Sequence, residues 1–235
     1  MPEIVYEDNH LLVAVKRPGQ LSQGDATGDE SLLDELKGYI KVKYQKPGEV
    51  YLGLVHRLDR PVGGLMAFAR TGKAASRLSE QLRAHSMRRE YLAVAEGGDA
   101  LPDSATLHDW LAWDDERNRA HVAAPGAPDA KQAALGYRVL AKRAGTALLW
   151  VRLETGRKHQ IRVQLAHAGH PLLYDMRYGR GTPGESVALW GAALCLTHPT
   201  RREPMRFTSA PRGRAFEPYR DEISAFLQGQ PEENL

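Results

Sequence analysis

The 235-residue chain has 42% hydrophobic and 26% charged residues, which is the composition of an ordinary globular protein and excludes a disordered or fibrous class. No apolar run approaches the ~18 residues of a membrane span, and the N-terminus MPEIVYEDNH lacks the regions of a signal peptide. A net charge of +3 and a single cysteine, Cys195, which cannot form an internal disulfide, fit a cytoplasmic protein with no membrane partner.

The first half of the chain predicts alternating strands and helices. HLLVAVKRP indicates a buried strand that ends at a proline turn, and GDESLLDELKGYIKVKY predicts a helix with capping-box spacing at Ser31 and Asp34. GLMAFART predicts a second strand. TGKAASRLSEQLRAH then predicts a helix with Ala74, Ala75, Leu78 and Leu82 on one face.

The second half is rich in strand candidates, bounded by Gly and Pro residues. They are REYLAVAEG, HDWLAW, KQAALGYRVLAK, TALLWVRLETG and VALWGAALCLTHP. The Gly/Pro-rich stretch from Ala124 to Asp129 suggests a hairpin loop. With no internal boundary, we predict a single domain over residues 1–227 and a disordered tail over 228–235.

Positive charge is concentrated in most of the chain. Residues 217–235 hold five acidic residues and one arginine, a net of −4, which leaves +7 for residues 1–216. The basic clusters are Arg83/Arg88/Arg89, Arg157/Lys158/Arg162 and Arg201/Arg202/Arg206/Arg212/Arg214. Such clustering is typical of a polyanion binder, although charge alone fits a solvated surface equally well.

The run VHRLDRPVGG replaces an aliphatic segment with charged and titratable side chains. In an extended segment, Arg57 and Asp59 would project to one face while Leu58 points into the core. Basic neighbours favour an ionised aspartate, as a nucleophile or general base requires. A structural ion pair in a turn is the simpler interpretation of these residues taken alone.

A second candidate is ETGRKHQIRVQLAHAGHP, in which a helical period would place Lys158 and Arg162 on one face with His159 nearby. Because like charges four residues apart repel, an external phosphate or a carboxylate such as Asp59 would be a suitable partner. A basic solvent-exposed face explains the pattern equally well.

Tyr91, in REYLAVA, is a third candidate. A strand would place it beside Ala93 and Ala95, leaving space in which the ring could stack on a base or move a proton. A half-buried structural tyrosine is the commoner case.

Three other signals fail on inspection. A phosphate-binding loop near Lys73 would need Gly and Ser or Thr where Ala67 and Ala74 stand. The spacing of the histidines from 159 to 170 does not suit zinc, and Cys195 lies in an apolar run typical of a core.

Together, the motifs resemble the RluA-type family of uridine-to-pseudouridine synthases from about Ile4 to Phe207. The specific parts are HRLD followed by Gly63-Gly64, REYLAV, GRKHQIR, and the H-A-G-H-P-L run from His167. Gly63 stands where a serine is common in relatives, and Arg17 interrupts the usual asparagine-lysine-proline run. Neither departure touches a residue assigned to chemistry.

The resemblance implies an α+β fold with a mixed, largely antiparallel central sheet. It implies that Asp59 is the nucleophile, that Tyr91 stacks on the base, and that Arg162 pairs with Asp59. RNA contacts are expected from His56, Arg57, Arg60, Arg157, Lys158, His159 and Gln160. Neither metal nor organic cofactor is expected, because no redox or hydrolytic step occurs.

The expected partner is RNA, a stem-loop in ribosomal or transfer RNA, since the resemblance begins too early to leave room for the family's separate N-terminal RNA-binding domain. We expect a monomer with no obligate protein partner. Two alternatives stay open: an RNA-binding protein without turnover, and a hydrolase that uses Asp59 with a second carboxylate such as Glu90.

Overall fold

The computed structural model describes residues 1–229. The strands are β1 (Glu3–Glu7), β2 (Leu11–Lys16), β3 (Gly53–Leu54), β4 (Gly63–Ala69), β5 (Arg88–Glu96), β6 (Ser104–Asp114), β7 (Arg119–Ala123), β8 (Lys131–Arg143), β9 (Thr146–Leu153), β10 (Leu189–Thr197) and β11 (Pro204–Thr208). The α-helices are α1 (Leu32–Lys43), α2 (Gly72–Arg83), α3 (Gln160–His167) and α4 (Arg220–Gln228), and a 3₁₀ helix spans Arg214–Tyr219. None of these helices is long and apolar enough to cross a membrane.

The chain packs into two compact units. Unit 1 comprises Met1–Arg89 and Gly191–Ser209, and unit 2 comprises Glu90–Trp190 and Ala210–Leu235, described as far as residue 229. The prediction of a single catalytic domain over 1–227 stays a prediction, and the predicted tail lies outside the described residues from position 230 onward.

Unit 1 contains the strand order β1-β2-β4-β10, with β3 paired to β4 and β11 paired to β10. Every residue of β2 and β4 is buried. Their antiparallel register runs from Leu11 opposite Ala69 to Lys16 opposite Gly64. This register places the end of β2 beside the start of β4, where the HRLD run joins the sheet.

The two long helices of unit 1 begin where their capping residues predict. The Ser31 hydroxyl accepts from the Asp34 amide while the Asp34 carboxylate accepts from the Ser31 amide, which is the predicted capping box. Thr71 caps α2 with a single bond, its hydroxyl accepting from the Ala74 amide.

Unit 2 contains the strand order β5-β9-β8-β6-β7. Near α3, Leu111, Ala120, Ala133 and Val163 form a buried apolar cluster. The Trp150 ring lies 6.1 Å from that of Phe226 in α4.

The structure confirms the α+β class, since helices accompany strands whose described ladders pair antiparallel. The hairpin loop predicted over 124–129 is wrong: β7 and β8 both pair with β6, so this segment joins strands on opposite sides of β6. The strand predictions did not include β1, β3, β7 and β11, which are short or carry charged residues.

Candidate active site

Asp59 lies in the irregular segment between β3 and β4 in unit 1. Leu58 is buried, Arg57 is exposed and Asp59 is half-buried. The predicted burial of Leu58 in the core is therefore confirmed, while the projection of Arg57 and Asp59 to one face stays a prediction.

The main chain on both sides of Asp59 is held by side chains of the 16–22 segment. The Ser22 hydroxyl donates to the Leu58 carbonyl (2.7 Å) and accepts from the Leu58 amide (3.1 Å). After Asp59, the Arg60 carbonyl accepts from Lys16 Nζ (3.0 Å) and from the Gly19 amide (2.8 Å). Hydrogen bonds thus fix the backbone of both chain neighbours of Asp59.

Lys16 is fully buried at the end of β2. Its ammonium also donates to the carbonyls of Arg17 (3.1 Å) and Gln20 (2.7 Å), so each of its three N–H groups has an acceptor. Burial lowers the pKa of Lys16 to about 7, with the Asp59 carboxylate opposing that shift and the Arg60 charge adding to it. Lys16 is therefore a buried titratable group that helps to hold the Asp59 segment in place.

His56, before Asp59, and Arg60, after it, have contacts inside unit 1. His56 is buried, and its Nε2 accepts from the Ala67 amide at 3.1 Å. Burial, helped by the Arg89 charge, lowers the pKa of His56 to about 3, so the ring is neutral. The Arg60 guanidinium pairs with Asp29 at 2.5 Å. The predicted RNA contacts of His56 and Arg60 stay predictions, and the geometry of His56 favours a structural role.

Gly64 is the second residue of β4, five residues after Asp59. It has a φ of +128°, and a Cβ placed on it would lie 2.3 Å from the backbone nitrogen of Gly191 in β10. Only glycine fits both the conformation and the close approach of the two backbones.

Tyr91 lies in β5, opposite Val151 of β9, as the strand prediction requires. Its side chain is buried, as are those of the following residues through Ala95. The confined surroundings fit a ring held in one orientation, and its role stays a prediction.

The turn that precedes α3 is organised by Gln160. This buried side chain donates to the Ala134 carbonyl (3.0 Å) and accepts from the Thr155 hydroxyl (2.8 Å) and the Arg157 amide (2.9 Å). Arg157 is exposed, and its Nε donates to the Gln132 carbonyl at 2.9 Å. These contacts explain why the turn is ordered, while an RNA contact by Arg157 or Gln160 stays a prediction.

Lys158 and Arg162 do not share a helical face, so that prediction is wrong. His159 has a φ of +58° and is the N-cap of α3, so Lys158 lies before the helix. The Lys158 ammonium sits 3.2 Å from the Trp113 ring centroid, and His159 Nδ1 lies 2.8 Å from the Tyr178 hydroxyl. RNA contacts by Lys158 and His159 stay predictions.

Arg162 is buried in α3 and has a carboxylate partner that the sequence analysis did not name. Its Nε and Nη2 donate to the two oxygens of Asp175, each at 2.7 Å. Its predicted pairing with Asp59 stays a prediction. No three His, Cys, Asp or Glu side chains of residues 1–229 group closely enough to bind a metal ion.

The family model described as RNA pseudouridylate synthase matches residues 10–167, about two thirds of the chain, and this range includes Asp59, Tyr91 and Arg162. The chain belongs to the RNA pseudouridylate synthase family. The resemblance to pseudouridine synthases inferred from the sequence is therefore confirmed at the family level.

Curated pseudouridylate synthases match most of the chain. Ribosomal large subunit pseudouridine synthase D of Yersinia pestis is 35% identical over 88% of this chain and 66% of its own length. The D enzyme of Nitrosomonas europaea is 34% identical over 96% and 64%, and the C enzyme of Salmonella typhimurium is 33% identical over 86% and 64%. This chain thus spans slightly less than two thirds of the length of these relatives.

Solved structures share the fold of this chain. Human RNA Pseudouridylate Synthase Domain Containing 4 superposes with a TM-score of 0.73 at 21% identity, covering 98% of this chain and 95% of that one. Human RNA Pseudouridylate Synthase Domain Containing 1 gives 0.72 at 21% identity, covering 100% and 97%. At such identities the likeness confirms the α+β pseudouridine synthase fold.

Sequence reasoning missed the residues that support the candidate site, namely Lys16, Ser22, Asp175 and Tyr178. Lys16 carries a weak signal, because a lysine that ends an otherwise apolar strand needs acceptors if it is buried. The others lie far along the chain from the residues they hold, and no local pattern indicates such pairings.

Proposed function

We propose that this chain is an RNA pseudouridine synthase that isomerises a uridine of ribosomal or transfer RNA, with Asp59 as its nucleophile. The observation that carries the proposal is the family match over residues 10–167. The names of the curated relatives, which are ribosomal large subunit pseudouridine synthases, support ribosomal RNA as the substrate class.

The reaction moves one glycosidic bond. The bond between ribose C1′ and uracil N1 breaks, the base rotates, and C1′ bonds to C5, which releases the C5 proton while N1 gains one. Asp59 acts by attacking C1′, by attacking the uracil ring, or by supporting a glycal route. The fixed main chain on both sides of Asp59 supports any of these roles, because a nucleophile must be held within reach of its target.

The other proposed site residues have complementary tasks. Tyr91 stacks on the uracil and handles a ribose proton, and Arg162 holds the reacting carboxylate ionised and oriented. A paired uridine must first leave its stem, and the exposed Arg57 is suited to fill the vacated stack.

A basic surface of unit 1 suits the phosphates of a stem-loop. The Gln81 side chain donates to the Thr197 carbonyl (2.7 Å) and accepts from its amide (2.8 Å), which ties the end of α2 to the end of β10. Exposed Arg83, at the end of α2, and exposed Arg201 and Arg202, after β10, extend from the segments joined there. Contacts of this kind would provide affinity without reading sequence.

The test uses the purified, EDTA-treated chain and transcribed ribosomal or transfer RNA labelled with tritium at uracil C5. Isomerisation should release tritium to water while the RNA keeps its length and mass, apart from the label. Asp59→Asn, which is nearly isosteric but a far poorer nucleophile, should release none, while its fold is kept and its RNA affinity stays comparable.

Other outcomes would contradict the proposal. Free uracil or cut RNA would indicate a hydrolase, and tight RNA binding without tritium release on any of these RNAs would indicate a binding protein. Tritium release by Asp59→Asn at the wild-type rate would exclude Asp59 as the nucleophile.

A further inference from the structure

Asp175 holds the guanidinium of Arg162 along one edge. Its side chain is fully buried, Oδ2 accepts from Arg162 Nε, and Oδ1 accepts from Nη2, both at 2.7 Å. Two parallel hydrogen bonds to a planar guanidinium fix its plane as well as its position. The carboxylate therefore determines where the remaining N–H groups of Arg162 point.

The carboxylate is itself fixed by the main chain that follows it. Oδ1 also accepts from the backbone amides of Arg177 (2.9 Å) and Tyr178 (3.1 Å). Burial raises the pKa of Asp175, but the hydrogen bonds and charge of Arg162, with those two amides, outweigh it and leave the pKa below its usual range. Asp175 is therefore ionised near neutral pH.

Tyr178 supports the same guanidinium with its ring. The Arg162 Cζ lies 5.2 Å from the ring centroid, and the Tyr178 hydroxyl accepts from the Ala120 amide of β7 at 2.8 Å. Asp175 thus holds one edge of the Arg162 guanidinium. The Tyr178 ring lies beside the guanidinium and is itself held by the bond between its hydroxyl and β7.

We infer that Asp175 is a positioning residue for the reaction, holding the Arg162 guanidinium in its working orientation. The inference rests on the proposed function, in which Arg162 takes part in the chemistry. Because Asp175 is buried and acts through Arg162, its loss should slow the chemical step while RNA affinity stays unchanged.

The first test is Asp175→Asn. The asparagine amide oxygen can replace Oδ1 and keep the two backbone bonds, but its NH₂ group then faces the Nε–H of Arg162, donor against donor. We expect the single-turnover rate of pseudouridine formation to fall by roughly a hundredfold, the loss typical of a misplaced catalytic group. The RNA dissociation constant should equal that of the wild type.

A matched control removes another carboxylate that pairs with an arginine in unit 2. Glu222 of α4 bonds to Arg143, and Glu222→Gln should leave the single-turnover rate at the wild-type value. Thermal melting of both variants reports any loss of folding separately from the loss of rate.

A double-mutant cycle distinguishes positioning from a general structural role. Arg162→Met combined with Asp175→Asn removes both charges of the pair, so this double variant remains informative if the single variant does not fold. If Asp175 acts through Arg162, the double variant should react at the rate of Arg162→Met alone.

Two results would overturn the inference: a wild-type rate for Asp175→Asn, or a double variant much slower than Arg162→Met. Both refute the positioning role while leaving the proposed function intact. Absence of pseudouridine formation by the wild-type chain would instead refute the proposed function itself.

Discussion

The segment around Asp59 is fixed through its main chain, whereas Arg162 is fixed through its side chain. Lys16 and Ser22 bond to backbone atoms of the residues on either side of Asp59. Asp175 bonds directly to the Arg162 guanidinium. A segment that is held through its main chain tolerates a change of the side chain that it carries. A charge pair does not tolerate the loss of either charged side chain, so substitutions should affect the two regions differently.

The largest effect on stability is expected from Lys16→Met, which would show how far Asp59 depends on its main-chain anchor. Three carbonyls would lose a donor, at about 1 kcal/mol each, so the free energy of unfolding should fall by roughly 3 kcal/mol. The single-turnover rate should fall by about tenfold or more as the Arg60 carbonyl is released. Urea unfolding and tritium release measure the two effects, and an unchanged rate would show that Lys16 serves stability alone.

The contributions of Lys16 and Asp175 to stability should also depend on pH in different ranges. The pKa of Lys16 is about 7 in the folded chain and about 10.4 when unfolded, so between these values the unfolded chain binds the extra proton and stability rises with pH. The gap in unfolding free energy between the wild type and Lys16→Met should therefore widen by a few kcal/mol from about pH 7 to about pH 10. Asp175, whose pKa is lowered, contributes stability above about pH 3.9 that is lost on further acidification. Urea titrations across this range test both predicted changes in stability. A constant gap between the wild type and Lys16→Met above pH 7 would contradict the prediction for Lys16.

Ser22→Ala tests the other side of the Asp59 anchor. Removing the hydroxyl leaves the buried Leu58 amide and carbonyl without this partner, which should lower the free energy of unfolding by roughly 2 kcal/mol. The exposed Ser76 of α2 offers a control, since Ser76→Ala should change stability little. Equal melting temperatures for the two variants would show that the Ser22 bonds contribute nothing.

The smallest effect is expected at Tyr178. Tyr178→Phe keeps the ring beside Arg162 but removes the acceptor of the Ala120 amide, so we expect a loss of about 1 kcal/mol in stability and a near-normal reaction rate. Tyr51→Phe, at an exposed tyrosine, is the control. A large loss of rate in Tyr178→Phe would mean that the hydroxyl, rather than the ring, matters to Arg162.

The sequence predicted the elements whose signals are local. The capping box at Ser31, the apolar runs of β2 and β4, and the inward turn of Leu58 all follow from spacing over a few residues. The predicted start of α3 was wrong because nothing in GRKHQ shows that His159 would adopt a positive φ.

Contacts between distant positions could not be predicted. Lys16 bonds to a carbonyl 44 residues away, and Arg162 pairs with a carboxylate 13 residues away, beyond any helical repeat. Such pairings depend on the register of strands and on the course of loops, which one sequence does not encode in a local pattern.

The close approach of Gly64 to Gly191 bears on any attempt to move this chemistry into another scaffold. Gly64 must be kept in any transplant, because a Cβ on it would lie 2.3 Å from the Gly191 backbone nitrogen, whereas a Cβ on Gly191 would lie at an ordinary 3.4 Å from the Leu65 nitrogen. A designer would have to carry this glycine with the HRLD run, together with the lysine and serine that hold the loop. The portable unit is therefore a set of two separate chain segments, so grafting HRLD by itself should yield a displaced aspartate.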